Sequence, residues 1–217
     1  MLVNPMTFKQ ESGGGVGVPP LEIYKEYSTY NQNTGSKLEN GKLHAYNAGM
    51  GVILLPNVWD VSNHETWEFG FKAEIEAGTV NHNPVFAQGS SSSLSYAAVP
   101  TIQYLNTDKK FVGGVPSGKT SWLYLMYSEH TFEPGNTYYV KFGWDGSEYY
   151  IDVSTNGNTW TREASEIDST PCYYNADYNR IGLGRMYPNT DEWFSSGNII
   201  LPECYVKING VVVWGNA

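Results

Sequence analysis

Thr137–Trp160, TYYVKFGWDGSEYYIDVSTNGNTW, reads as strands joined by tight turns. Tyr138, Val140, Phe142 and Trp144 alternate with Tyr139, Lys141 and Gly143, the period of two of a half-buried strand. Asp145-Gly146 follows, a pair that tolerates the backbone of a hairpin turn. Tyr149, Ile151 and Val153 then alternate with Tyr150, Asp152 and Ser154. Asn156-Gly157 makes a second turn, and Thr159-Trp160 begins a third strand. Three consecutive antiparallel strands are the plan of this stretch.

The rest of the chain extends that plan. Trp67, Phe69, Phe71, Ala73 and Ile75 form one face of a strand, and Glu68, Gly70, Lys72, Glu74 and Glu76 the other, one dry and one wet. Lys42–Tyr46, Gly51–Leu55, Val85–Gln88, Tyr96–Leu105, Thr120–Tyr127 and Arg180–Tyr187 also read as strands. CYVKINGVVVW, Cys204–Trp214, is a hairpin turning at Asn209-Gly210. Leu21–Tyr30 fits a strand or a short helix, and Glu163–Tyr178 reads as irregular. No amphipathic helix of ordinary length and no internal repeat is found. The expected fold is all-β: one two-sheet antiparallel sandwich over residues 21–217. Residues 1–20 precede it. ESGGGVGVPP is a flexible joint closed by two prolines. Two readings of the first ten residues stand: a disordered tail, or an anchor peptide with Leu2, Val3, Met6 and Phe8 to bury.

A chain of 217 residues is long enough to bury roughly 70% of its unfolded surface without staples. With 22 acidic and 13 basic residues, the formal charge is −9. Phosphates would find little to neutralise them, which argues against nucleic acid as a partner, and anionic lipid meets the same repulsion. No stretch has the apolar length of a membrane span, and MLVNPMTFKQ lacks the features of a secretory signal. Aromatic residues make up 15% of the chain, 17 of them Tyr and 7 Trp, a composition suited to sheets and to flat, ring-rich binding surfaces. The two cysteines, Cys172 and Cys204, are too few for a disulfide scaffold. They read as free thiols of a protein made in a reducing cytoplasm, with a mutual bond as the alternative.

Several motifs invite chemistry that their surroundings oppose. Gly113–Thr120, GGVPSGKT, fits the phosphate-loop pattern letter for letter. A phosphate loop needs a helix after it and parallel strands around it. Here SWLYLMY follows, so the segment reads as a hairpin loop. Glu74 and Glu76 sit two apart and share a strand face, an arrangement two carboxylates of a glycosidase could use. A solvated strand face explains the same pair. The four histidines, at 44, 64, 82 and 130, show no ligand spacing. Asp177, Asp191 and Glu192, with loop Asn residues, are oxygen ligands of the kind calcium takes, but in no ordered series. No metal site and no cofactor are therefore expected.

Ser154, Asn156, Gly157, Thr159 and Trp160, then Leu183-Gly184, then Gly197, Ile199, Leu201, Ile208, Asn209, Gly210, Val213 and Trp214 form a recurring pattern. This pattern resembles the concanavalin A-like jelly roll of tailed-bacteriophage virion proteins. It covers about the last 80 residues well and the Trp67–Ile75 strand loosely. Pro202 interrupts it, and Asn198 and Ile200 replace its usual small or acidic residues. The resemblance implies a jelly-roll sandwich with an extended N-terminal arm. It implies a fibre or capsid-attached adhesin, made in the bacterial host cytoplasm and carried on the virion. Residues 1–10 would contact other virion proteins, and the lectin-like domain would bind cell-surface or mucosal carbohydrate. A trimer is expected by analogy. Jelly-roll endoglucanases carry a related carboxylate arrangement, but Glu76 stands where their Asp belongs and Ala77-Gly78-Thr79 where their last carboxylate belongs. The protein is therefore expected not to be an enzyme.

Rings near loops or on polar faces are the candidates for stacking on a sugar: Trp59, Tyr104, Trp122, Tyr124, Tyr187 and Trp193, with Asn189 and Asp191 beside the last two as hydrogen-bonding partners. Two alternatives accompany this reading. One is a structural decoration or fibre-base protein with no sugar ligand. The other is a glycoside hydrolase using Glu74 and Glu76.

Overall fold

The computed structural model describes residues 22–23, 37–39, 42–45, 53–54, 66–77, 82–89, 100–118, 121–173, 180–183, 197–200 and 203–215. The described elements are strands: β1 (Glu22–Ile23), β2 (Lys37–Glu39), β3 (Lys42–Ala45), β4 (Ile53–Leu54), β5 (Trp67–Ile75), β6 (His82–Gly89), β7 (Thr101–Leu105) and β8 (Lys110–Pro116). They continue with β9 (Trp122–Tyr127), β10 (Thr137–Trp144), β11 (Glu148–Ser154), β12 (Thr161–Ile167), β13 (Arg180–Leu183), β14 (Gly197–Ile200), β15 (Tyr205–Ile208) and β16 (Val211–Gly215).

Two antiparallel sheets form. The seven-stranded sheet runs β1-β4-β13-β6-β7-β8-β9. The nine-stranded sheet runs β12-β11-β10-β5-β14-β3-β2, with β15 pairing to β5 and β16 to β15. The architecture is a jelly-roll sandwich. One aromatic core joins the sheets. Phe69, Phe142, Tyr149 and Ile151 point inward from the larger sheet, and Ile102, Tyr104, Phe111 and Val115 from the smaller. Phe71 meets Phe111 edge-on at 6.3 Å, and Trp67 meets Phe142 at 5.0 Å, the geometry that aromatic quadrupoles favour.

The turns follow their residues. Asn209 and Gly210 have φ of 50° and 74°, as a two-residue hairpin of matching twist requires. At Asp145 the carboxylate accepts from the Ser147 and Glu148 amides at 2.8 and 2.9 Å, closing the β10–β11 turn. Ser154 Oγ likewise accepts from Gly157 at 2.9 Å, and Asn156 Oδ1 from Thr159 at 2.9 Å. Cys172 and Cys204 are buried and form no disulfide. Burial pushes the Cys172 thiol up to about 12, against the opposing effect of its hydrogen bond with Trp67.

Two expectations need correction. Residues 163–167 are not irregular: they complete β12, an edge strand with mostly exposed polar side chains. Such a strand has no apolar alternation to reveal it. Gly113 and Gly114 are not in a loop but within β8. The ring of Phe142 occupies the place of a Cβ on Gly113, at 2.6 Å, so the glycine there serves packing between the sheets. Antiparallel pairing of β8 with β9 leaves no phosphate-loop geometry. The N-terminal arm, with Leu2, Val3, Met6 and Phe8, lies outside the described residues.

Candidate functional site

The outer face of the larger sheet carries a second set of rings, arranged unlike the core. Glu68 projects from β5 between two neighbours in register, Gly143 of β10 and Lys207 of β15. Tyr150 of β11 stands opposite Gly143 on the other side of β10, and Tyr205 of β15 stands opposite Gly70. Each glycine leaves a trough that the neighbouring tyrosine fills. A Cβ on Gly70 would lie 2.0 Å from the Tyr205 ring, and one on Gly143 would lie 2.7 Å from the Tyr150 hydroxyl. The tyrosines therefore cross the glycines and meet at Glu68, an aromatic covering of strand glycines.

The Tyr150 hydroxyl donates to Glu68 Oε2 at 2.7 Å, and the Tyr205 hydroxyl donates to Oε1 at 2.6 Å. Lys207 Nζ donates to Oε1 at 3.1 Å and stands 4.5 Å over the Tyr205 ring. Burial raises the Glu68 pKa, but the two hydroxyls and the ammonium outweigh it and hold the carboxyl below its ordinary value. Burial pushes the Tyr150 and Tyr205 hydroxyls upward, and the adjacent Glu68 carboxylate pushes them the same way. Glu68 thus stays ionised and both tyrosines stay protonated donors at neutral pH.

Beside this hub a shallow cleft of about 300 Å³ opens at one end of the sheet. Two turns frame it. The β15–β16 turn is tied to the start of β5, where the Asn209 amide donates to the Thr66 carbonyl at 2.8 Å and the Thr66 amide donates to Asn209 Oδ1 at 3.2 Å. The other is the β10–β11 turn, in which hydrogen bonds from Ser147 and Glu148 overcome burial and keep the Asp145 carboxyl low. Glu68, Asp145, Tyr150, Lys207 and Thr66 line the cleft, with the rims of Trp67 and Trp144 beneath. The chemistry is two carboxylate acceptors, an ammonium donor and a ring wall, suited to a hydroxyl-rich ligand.

Of the eight candidates read from the sequence, the three among the described residues, Tyr104, Trp122 and Tyr124, do not line this cleft. Tyr104 is a correction: it is 0% exposed, its hydroxyl donates to the Phe132 carbonyl at 2.7 Å, and its ring packs on Phe111. No face of it is left for a sugar. Tyr124 packs against the core, 5.9 Å from the Tyr149 ring, and its hydroxyl donates to Asp168 at 2.7 Å. Trp122 is half-buried, its ring 2.7 Å from where a Cβ of Gly114 would lie. Trp59, Tyr187, Asn189, Asp191 and Trp193 lie outside the described residues, as do Asp177 and Glu192. Glu74 lies in β5 and Glu76 one residue beyond its end, both partly exposed. Among the described residues no group of three His, Cys, Asp or Glu side chains converges as a metal site would. The cleft residues had one sequence signal, namely glycines on the wet faces of strands otherwise rich in large residues.

No family model and no curated protein matches the chain. Solved structures do. The CBM40 module of Ruminococcus gnavus IT-sialidase is similar, with a TM-score of 0.53 and 12% identity over 71% of this chain and 85% of that one. The same module bound to alpha2,3 sialyllactose gives the same values. The enzymatically active domain of tailspike protein 2 of Bacteriophage CBA120 has a TM-score of 0.52 and 11% identity, over 76% of this chain and 25% of that one. At these identities the likeness is one of fold.

Proposed function

We propose that this chain is a non-enzymatic, lectin-like module that binds carbohydrate on cell surfaces or mucus. In this reading it is made in a bacterial host cytoplasm and carried on a phage particle. Residues 1–20 form the arm and hinge that attach residues 21–217 to other virion proteins. The observation that carries the binding reading is the cleft at Glu68, Tyr150 and Lys207, placed on a sandwich whose structural neighbour holds sialyllactose. The polar groups are already aimed by hydrogen bonds, so a sugar would meet a site that needs little ordering. The tailspike likeness supports the phage setting.

A glycan array probed with the full chain, followed by titration calorimetry, tests the reading. A hit weakened tenfold or more by Lys207→Ala, with the fold intact, is the expected outcome. No binding at millimolar sugar leaves the structural-decoration reading in its place. Since the tailspike domain is enzymatically active, one second reading stands: hydrolysis by Glu74 and Glu76. Release of reducing sugar from a polysaccharide panel, abolished by Glu76→Gln, would establish it. Deleting residues 1–10 tests the anchor, and continued incorporation into particles would end that idea.

A further inference from the structure

The cleft at Glu68 is not evenly charged. Three of its lining side chains carry charge, Glu68, Asp145 and Lys207, two negative against one positive. Strand order sets them in a row. Gly143 of β10 and Lys207 of β15 flank Glu68 on opposite sides of β5. Asp145 lies two residues on from Gly143. Continuing that register past β10 makes it a diagonal neighbour of Glu68, with Cα atoms roughly 7–8 Å apart. Across the cleft the charges therefore run negative, negative, positive.

The cation of the cleft is already engaged. Lys207 Nζ donates to Glu68 Oε1 at 3.1 Å in a partly buried pair. Asp145 has no such partner. Its three hydrogen bonds, from the Ser147 amide, the Ser147 hydroxyl and the Glu148 amide, all fall on Oδ1. Among the described residues nothing donates to Oδ2, and no cation lies within ion-pair distance of this carboxylate. The positive field of Arg162 reaches Asp145, but its guanidinium is bound to Glu148 and Asp152. Neutral donors close the turn and leave the Asp145 charge standing at the cleft.

That charge favours one kind of ligand. A cation set against Asp145 gains a partner, whereas an anion meets uncompensated negative charge on a chain of formal charge −9. Calcium fits poorly: it takes about six to eight oxygens, and here one of two carboxylates is beside an ammonium. A protonated amine asks for three acceptors at most. Around it lie groups that sugar hydroxyls can use, namely the other N–H groups of Lys207 and the Thr66 side chain.

We propose that the cleft selects a hexosamine with a free ammonium group, seated against Asp145, and excludes acidic sugars. Asp145 is then the specificity-determining residue. The inference rests on the carbohydrate reading of the cleft. Calorimetric titration of the full chain at slightly acid pH tests it with methyl glucosaminide, its N-acetyl derivative, methyl glucoside and methyl glucuronide. The glucosaminide is expected to bind roughly fivefold tighter than the two neutral glycosides, the ratio that one exposed ion pair supports, and the glucuronide weakest. The ratio should shrink at high salt. Asp145→Asn keeps an oxygen for the turn and is expected to keep the thermal midpoint while bringing the ratio to unity. Glu166→Gln, which removes an exposed charge outside the cleft, is expected to leave the ratio whole. Equal binding of the amine and its N-acetyl derivative overturns the proposal, as does tightest binding of the glucuronide. A preference that survives Asp145→Asn, or vanishes in Glu166→Gln, overturns it too. So does acetyl-lysine methylamide binding as tightly as the glucosaminide, since the amine would then be read without the sugar. If none of the four glycosides binds and a glycan array is blank, the carbohydrate reading falls as well. Array hits confined to neutral or acidic glycans overturn the amine preference alone.

Discussion

The larger sheet has two faces built from the same strands and nearly the same residue types, and they hold their rings by different forces. On the inner face Trp67, Phe69, Phe142 and Tyr149 pack against one another, with Trp144 stacked on Tyr149 at 5.7 Å. On the outer face each ring is capped by a cation. Lys141 lies 3.8 Å over Trp160, Arg162 and Lys207 lie 4.5 Å over Tyr150 and Tyr205, and Lys72 lies 4.8 Å over Tyr139. The inner rings gain by leaving water. The outer rings stay near water and gain from the ring quadrupole and from hydroxyls pinned to Glu68. An aromatic count cannot tell core from surface, because a tyrosine opposite a strand glycine is secured without being in the core.

Four substitutions break or sharpen this contrast. Phe142→Ala, at 0% exposure against the Trp67 and Phe69 rings, is expected to cost about 3–5 kcal/mol in denaturant unfolding. A loss below about 1 kcal/mol would show that the inner face is not the main source of stability. Gly143→Ala comes next. Its Cβ would lie 2.7 Å from both the Trp67 carbonyl and the Tyr150 hydroxyl, so backbone must shift, at about 1–3 kcal/mol. An unchanged midpoint would mean that the trough is not what seats Tyr150.

Glu68→Gln removes the charge that organises the outer face, with an expected loss of about 1–2 kcal/mol at neutral pH. It also carries a pH signature. Glu68 sits below its ordinary value of 4.5 in the folded chain, so its contribution is present above that pH and is lost as pH falls through the folded value. Wild-type stability should therefore drop in acid more steeply than that of Glu68→Gln; parallel acid limbs would remove Glu68 from the account. The smallest effect is expected for Arg162→Ala, under about 1 kcal/mol and reduced further by salt, because that pair is exposed on an edge strand.

Much of the fold was legible. The alternation in Trp67–Ile75 and Thr137–Ser154 assigned inward and outward side chains, and Asp145-Gly146, Asn156-Gly157 and Asn209-Gly210 marked the turns. β12 escaped because an edge strand with polar side chains has no apolar period. β8 escaped because Gly113 answers to Phe142, a residue of the other sheet, and Gly114 to Trp122 and Thr101 of the neighbouring strands. The site was far less legible. Tyr104 looked like a candidate ring because it read as lying near a loop or on a polar face, yet sandwich packing placed it at 0% exposure.

The sequence by itself determined the class of fold, the parity of each strong strand and the turn positions, because these depend on residues near one another along the chain. It also determined that the wet face of β5 would carry Glu68. Only the tertiary structure decided that Tyr150, Tyr205 and Lys207 meet there, since their separations from Glu68 are 82, 137 and 139 residues. Registers between β5, β10, β11 and β15 bring them together, and register is a property of the assembled sheet. The same holds for the edges: WLYLMY is legible as a strand, but that it ends one sheet as TREASEI ends the other follows from strand order alone.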